Sequence, residues 1–404
     1  MSAGTVVVRG IGELVTCDPA RGAAPGVVVG GALVATDGIL SFVGAEADLP
    51  ELAGAMVIEV GGAAVLPGFV DAHTHAVWMG DRAGEYAARA AGAGYEEIAA
   101  QGGGIRSTVR LTAAAGVDQL VAAARPRLQQ MLRSGTTTAE VKSGYGLALA
   151  AELRQLQAVR RLGSESGLPE LQPTYLALHA APPGDRAAFI DAAIEEGIPA
   201  VRGLARFADC FCETGAYSVY ECERFLTAAS AAGLLLKIHT EQLTHTGGAA
   251  LAARLGAVSA DHLERATDDD LRALAAAEVT GVILPGASLT LGGPPPPGRR
   301  LLDSGATVAI ATDCNPGTSN TESMPLMVSL AVALAGLTPA EAVVAATAGG
   351  AAALRMQDRG MLRVGARCDL AVLSSGQWLD VAYHLGGDVV AATIRAGEVV
   401  AGSL

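Results

Sequence analysis

The sequence predicts an α/β fold in which a mostly parallel, barrel-type sheet is joined to a smaller β unit assembled from both chain ends. Three observations predict it. The 404 residues exceed one small domain but suit a barrel, ordinarily about 250 residues, plus an appendage. From Ala64 onward apolar β-type runs alternate with Ala/Glu/Arg-rich helical stretches, the texture of repeated βα units. On either side of that region short β-rich runs are separated by Gly, Pro and Asp turns.

Taken in order, Thr5 to Arg9, Gly26 to Ala35, Ile39 to Val43 and Met56 to Val60 read as antiparallel structure that ends near Leu66-Pro67-Gly68. The expected barrel strands are Ala64 to Val70, Thr137 to Val141, Thr174 to His179, Leu234 to His239, Val279 to Leu284 and Thr307 to Ala311. Helices are expected over Val117 to Arg133, Leu147 to Ser164, Ala187 to Glu196, Ser218 to Ala232 and Pro339 to Arg355; Ser218 and Thr338-Pro339 supply cap and first-turn signals. Four prolines between Gly292 and Gly298 form a stiff loop between two barrel units. Gly102-Gly103-Gly104 lacks the preceding strand of a dinucleotide fingerprint and reads as a ligand-adjacent loop. Strand texture returns at Cys368 to Leu373, Val389 to Ile394 and Val399-Val400. The expected division is therefore 1–66 and 357–404 for the terminal unit and 67–356 for the barrel.

Composition narrows the function. With 50% hydrophobic residues, 4% aromatic and 17% charged, the chain is neither disordered nor a coiled coil as a whole. A net charge of −13 argues against nucleic acid or an anionic membrane as partner, because no basic field exists to displace counterions. Any anionic ligand must be captured locally. The six cysteines at 17, 210, 212, 222, 314 and 368 form no CxxC pair and read as reduced thiols. The start of the chain lacks the pattern of a signal peptide, and no apolar run reaches the roughly 18 residues of a spanning helix. A cytoplasmic protein is expected. Of 28 basic residues only Lys142 and Lys237 are lysines.

His73 and His75 stand two apart directly after the run Val65 to Val70, so on a continued strand both imidazoles face one way. Such a pair is half of a metal site. His239 closes Leu234 to Ile238 and Asp313 closes Val308 to Thr312, putting two more ligand-type residues at C-terminal strand ends, the rim on which barrel enzymes build their sites. Three imidazoles and a carboxylate suit Zn²⁺ or Fe²⁺ with a position left for water, whose pKa the ion would bring near neutrality. His179 and His262 follow further β-type runs and are candidates for the same face, whereas His245 and His384 read as structural. The plain reading of each is a histidine that caps a strand or bonds a neighbour.

The segment Leu66-Pro67-Gly68-Phe69-Val70-Asp71-Ala72-His73-Thr74-His75 resembles the opening signature of the amidohydrolase superfamily. The supporting segments are Gly80-Asp81-Arg82, Tyr95-Glu96-Glu97-Ile98, Gly102-Gly103-Gly104-Ile105, Val141-Lys142-Ser143-Gly144-Tyr145-Gly146-Leu147, Lys237-Ile238-His239, Ser259-Ala260-Asp261-His262-Leu263 and Ala311 to Thr318. Within the superfamily the resemblance is to the branch that opens an imidazolone ring in histidine degradation. It implies a distorted (β/α)8 barrel flanked by a β-sandwich, one divalent metal ion, either Zn²⁺ or Fe²⁺/³⁺, and a homodimer. Carried over by position, it implies metal ligation by His73, His75, His239 and Asp313. Substrate contacts fall to Arg82, Tyr145, His179, Gln242, Asn315, Gly317 and Thr318, and catalysis to Asp313, His262 and Gln242. Some relatives carry an acidic residue where Gln242 stands; Gln cannot act as a base, so proton handling moves to Asp313 and His262.

The implied substrate, 4-imidazolone-5-propanoate, is a planar cyclic amide with a carboxylate tail that Arg82 would hold by a bidentate, charge-assisted pair. Tyr145 would add a hydroxyl donor. Two other readings stand beside this one. A deaminase or another cyclic-amide hydrolase fits the ligands, but not Arg82 with Ser143-Gly144-Tyr145-Gly146. A metal-free interaction homologue would have shed ligands, whereas all four positions are filled. Cys314, next to Asp313, reads as a small filler.

Overall fold

The computed structural model describes residues 4–92, 103–182 and 184–404, so Tyr95-Glu96-Glu97-Ile98 and Gly102 lie outside the described residues. Eight strands pair in chain order: Phe69–Asp71, Thr136–Lys142, Glu170–Leu178, Phe207–Cys212, Leu235–Thr240, Ser259–His262, Thr280–Ile283 and Val308–Ile310. Every one of these ladders is parallel. First and last strands meet at the rim. There Thr74 bridges Cys314, the Asp313 amide donates to the His73 carbonyl at 3.0 Å and the His75 amide to the Cys314 carbonyl at 3.0 Å. Just below, the Asp71 carboxylate accepts from the Thr312 amide at 3.0 Å and from its hydroxyl at 2.6 Å. The barrel thus closes at the place where the ligand-type residues stand.

The chain ends build a second, mixed sheet of eight strands. Val65–Pro67 joins its halves, running antiparallel to Leu370–Leu373 and touching Thr5–Val15 on its other side. The run expected as one strand from Ala64 to Val70 is therefore two, one in each sheet. Gly68 is the hinge, because a Cβ there would lie 2.4 Å from the Thr137 side chain.

Helices flank the barrel much as the 3.6-residue pattern predicts: Val117–Arg133, Leu149–Leu162 and Val219–Ala231, the last with Ser218 and Glu221 in a reciprocal cap. The helices expected over Ala187 to Glu196 and Pro339 to Arg355 each pass into a π turn, at Ala193–Gly197 and Ala345–Gly349. In the second the cause is close approach. Cβ atoms on Gly349 and Gly350 would sit 2.0 Å from the Val308 carbonyl and 2.1 Å from the Val70 carbonyl, on the last and first barrel strands. One strand, Phe207–Cys212, escapes the pattern because Asp209 interrupts its apolar run. No helix of the described residues is long and apolar enough to cross a membrane.

Candidate active site

His73, His75, His239 and Asp313 come together at the rim, each at most 3% exposed. The Nε2 atoms of His73 and His75 both lie 3.5 Å from Asp313 Oδ1, and His239 Nε2 lies 3.3 Å from His75 Nε2. His262 joins them, its ring centre 5.6 Å from that of His239 and 5.7 Å from that of His73. Asp313 (φ 50°), His262 (φ 83°) and Leu263 (φ 71°) occupy left-handed backbone, a strain that side chains other than Gly tolerate where the surroundings over-determine them. Burial pushes the imidazoles of His73, His75 and His262 well below their ordinary pKa, so they are neutral, the form that ligates a metal. It pushes the Asp313 carboxyl up, and a cation beside it would favour the ionised form.

Behind this cluster lies a set of charges that sequence reasoning missed. His73 Nδ1–H donates to Asp261 at 2.6 Å, leaving its Nε2 buried with no hydrogen-bond partner among the described residues. His239 Nδ1 lies 3.0 Å from Asp209. Carboxylates that back imidazoles in this way orient them and fix the tautomer toward a metal. Lys142 ties the set together, 2.7 Å from Glu140, 2.8 Å from Asp209 and 3.8 Å from Asp261. Lys237 donates to Ser259 at 2.7 Å and lies 3.7 Å from Asp261. Burial works against the Lys142 charge, but Asp209, Glu140 and Asp261 outweigh it and hold the ammonium above its ordinary range. Burial likewise opposes charge on Asp209, yet His239 and Lys142 keep it a carboxylate. The signal available beforehand was the lysine usage: both lysines of the chain are fully buried here. The donor set and its backing charges fit a divalent ion.

Above the cluster opens a cavity of ≈ 230 Å³, and all seven residues expected to touch substrate line it: Arg82, Tyr145, His179, Gln242, Asn315, Gly317 and Thr318. His179 stacks on His75 at 4.9 Å and donates from Nδ1 to the Gly144 carbonyl at 2.9 Å. Ile105, which follows the triple-glycine stretch, is part of the same wall. Three loops that carry these residues are held by buried side chains. Glu152 accepts from the amides of Gly144, Gly146 and Leu147 at 2.7 to 2.8 Å, which presents Tyr145. Glu241 accepts from Thr246 and Gly247 at 2.8 Å, shaping the turn of Gln242. Asn315 accepts from Gly317 and Thr318 at 2.8 Å and donates to the Asp313 carbonyl at 2.6 Å, so its amide is engaged within its own loop. Arg82 gives its Nε–H to Glu85 at 2.7 Å, and its Nη1 lies 2.2 Å from where a Cβ on Gly317 would be, so the guanidinium lies close against that glycine. Arg127 braces the segment after the first strand, donating to the carbonyls of Ala76 and Trp78 at 3.1 and 3.2 Å. Cys314 is fully buried in the apolar cluster with Trp78 and Tyr145. His245, paired with Asp270 at 2.9 Å, stands apart from the cavity.

An eight-stranded parallel barrel with a histidine and aspartate centre at its C-terminal rim defines a class of metal-dependent hydrolases, and comparison agrees. The chain belongs to the amidohydrolase family, whose sequence model, described as Amidohydrolase family, matches residues 64–400. It is similar to the imidazolonepropionase of Deinococcus radiodurans, 50% identical over 96% of this chain and 98% of that protein. It is also 44% identical to the imidazolonepropionase of Rubrobacter xylanophilus, over 97% of this chain and 93% of that protein. Among solved structures, a zinc-bound adenosine deaminase from Xanthomonas campestris superposes with a TM-score of 0.74 at 21% identity, covering 98% of this chain and 92% of its own. At that identity the likeness is one of fold.

Proposed function

We propose that this chain hydrolyses the ring amide of 4-imidazolone-5-propanoate to N-formimidoyl-L-glutamate, a step of histidine degradation. One divalent ion, Zn²⁺ or Fe²⁺, would be held by His73, His75, His239 and Asp313. The observation that carries the reading is a single cavity lined both by Arg82, a carboxylate anchor, and by His75, His239 and Asp313. Such an ion supplies Lewis acidity toward water and the ring carbonyl.

The chain's own residues do the rest. Arg82, with Nε taken by Glu85, turns its remaining guanidinium donors to the propanoate, and Tyr145 adds its hydroxyl. His179, Gln242, Gly317 and Thr318 hold the ring against the wall. Asp313 takes the proton of the attacking water and delivers it to the ring nitrogen as the C–N bond breaks; the water oxygen ends in the new carboxylate. His262 accepts a hydrogen bond from the attacking water and so orients its attack. Gln242 serves as a hydrogen-bonding group, not a base.

The division into 1–66 with 357–404 and 67–356 is proposed with it, supported by the pairing of Val65–Pro67 with Leu370–Leu373, which carries the terminal sheet one residue past that boundary. A cytoplasmic location is supported by six buried, unpaired cysteines; a homodimer rests on family likeness. The experiment follows loss of ultraviolet absorbance from imidazolone propanoate generated in place from urocanate, with the product identified by mass spectrometry, before and after chelation. Chelator-sensitive formation of formimidoyl-glutamate is expected. No turnover by a folded, metal-loaded sample discards this substrate and moves the search to deaminase and cyclic-amide panels.

A further inference from the structure

Two buried polar atoms face each other beside the site, and nothing among the described residues occupies either. His262 Nδ1 and Glu264 Oε2 are 3.9 Å apart, their side chains 3% and 4% exposed, and neither has a hydrogen-bond partner. The other Glu264 oxygen accepts from Ser288 Oγ at 2.6 Å, which fixes the carboxyl from the helix Pro285–Leu291. We infer that Glu264 is a positioning residue for the reaction, taking the Nδ1–H of His262 and so leaving Nε2 as the acceptor turned toward the attacking water. The inference rests on the role of His262 given above.

The chemistry follows from the inventory of donors. A neutral imidazole carries one N–H, and a carboxylate can only accept, so an ionised Glu264 selects the tautomer with hydrogen on Nδ1. It also offsets positive charge on the ring as Nε2 gains a share of the proton, which makes His262 the stronger base. A separation of 3.9 Å closes to a hydrogen bond with a small rotation, as such contacts tighten when substrate binds. The left-handed backbone of His262 and Leu263 turns the chain so that both side chains reach the same buried space. Burial pushes the Glu264 carboxyl up to about 7. The titratable and charged groups that face it are His262 and Arg265 on its own segment, Glu213 from the loop after Phe207–Cys212 and Asp313 from the loop after the last strand.

The test compares Glu264→Gln, Glu264→Leu and His262→Asn in the metal-loaded full chain. Glu264→Gln keeps the shape and an acceptor but loses ionisation; its kcat is expected to fall about 10-fold, and Glu264→Leu, with no acceptor, on the order of 100-fold, both within the reach of general acid–base catalysis. KM and metal stoichiometry should stay within about two-fold, and the rise of kcat with pH near neutrality should be displaced in Glu264→Gln. A role confined to structure would lower the melting temperature and leave that pH limb in place. If His262→Asn abolishes turnover while both Glu264 variants keep the wild-type kcat and pH profile, the assignment of Glu264 is overturned and that of His262 stands. If His262→Asn retains activity with metal bound, the underlying reading of His262 fails as well.

Discussion

In the terminal sheet Val6, Val8, Ile11, Leu14, Leu33, Leu40, Leu370, Val372 and Ile394 pack into an apolar cluster, whereas inside the barrel Glu140, Lys142, Asp209, Lys237 and Asp261 are all fully buried. The two interiors are equally dry and oppositely made. Apolar burial stabilises by roughly 25 cal/mol per Å² and tolerates exchange of one hydrocarbon for another of similar volume. A buried ion cluster yields little net stability, because desolvation offsets most of its attraction, yet losing one member strands its partners. The apolar clusters, that of the terminal sheet and that between the barrel and its helices, hold the fold together. The charges in the barrel aim imidazoles.

That contrast is open to direct attack. The largest effect is expected from Lys142→Met, which leaves Glu140 and Asp209 without their cation and should cost about 3–5 kcal/mol. Denaturant unfolding reads the loss, and bound metal per chain should fall with it; an unchanged metal content would show that the buried charges do not act on the site. Leu370→Ala, fully buried in the terminal cluster, should cost about 2–5 kcal/mol with metal content and kcat of the folded protein untouched. A fall in kcat there would erase the distinction between the two regions. Removing the metal by chelation should abolish activity and, from a starting concentration about 100 times its Kd, lower stability by about 2.7 kcal/mol, seen calorimetrically as a lower Tm.

Smaller effects sharpen the picture. Arg82→Lys replaces a planar fork by a point charge and should lower kcat/KM by about 1.5–3 kcal/mol, chiefly through KM; steady-state kinetics with an analogue lacking the carboxylate should show no such difference. The smallest is Thr338→Ala, which removes the cap that accepts from Glu341 and should cost about 1 kcal/mol of stability without altering turnover.

Much of this was legible in the chain. The alternation of apolar β runs with helical stretches predicted the barrel, and the histidine and aspartate positions at run ends predicted which side chains would meet. Both are local signals, since a strand end and the direction of a side chain follow from a few neighbouring residues. What stayed hidden were elements that the site itself had altered: Asp209 breaks the apolar run of Phe207–Cys212, and the run through Gly68 divides between two sheets.

Sequence by itself thus determined the order of strands and helices, the acidic character of the chain, and the set of candidate ligands. Only the tertiary structure decided that Lys142 sits between Glu140 and Asp209, that Asp261 backs His73 and that Glu264 faces His262. The physical reason is that Lys142–Asp209 and His73–Asp261 join strands 67 and 188 residues apart, while Glu140–Lys142 and His262–Glu264, near in the chain, face each other only in the buried space that the closed barrel encloses. Whether a buried charge has its full set of partners is settled by which strands lie side by side when the barrel closes, and not by its neighbours in the chain alone.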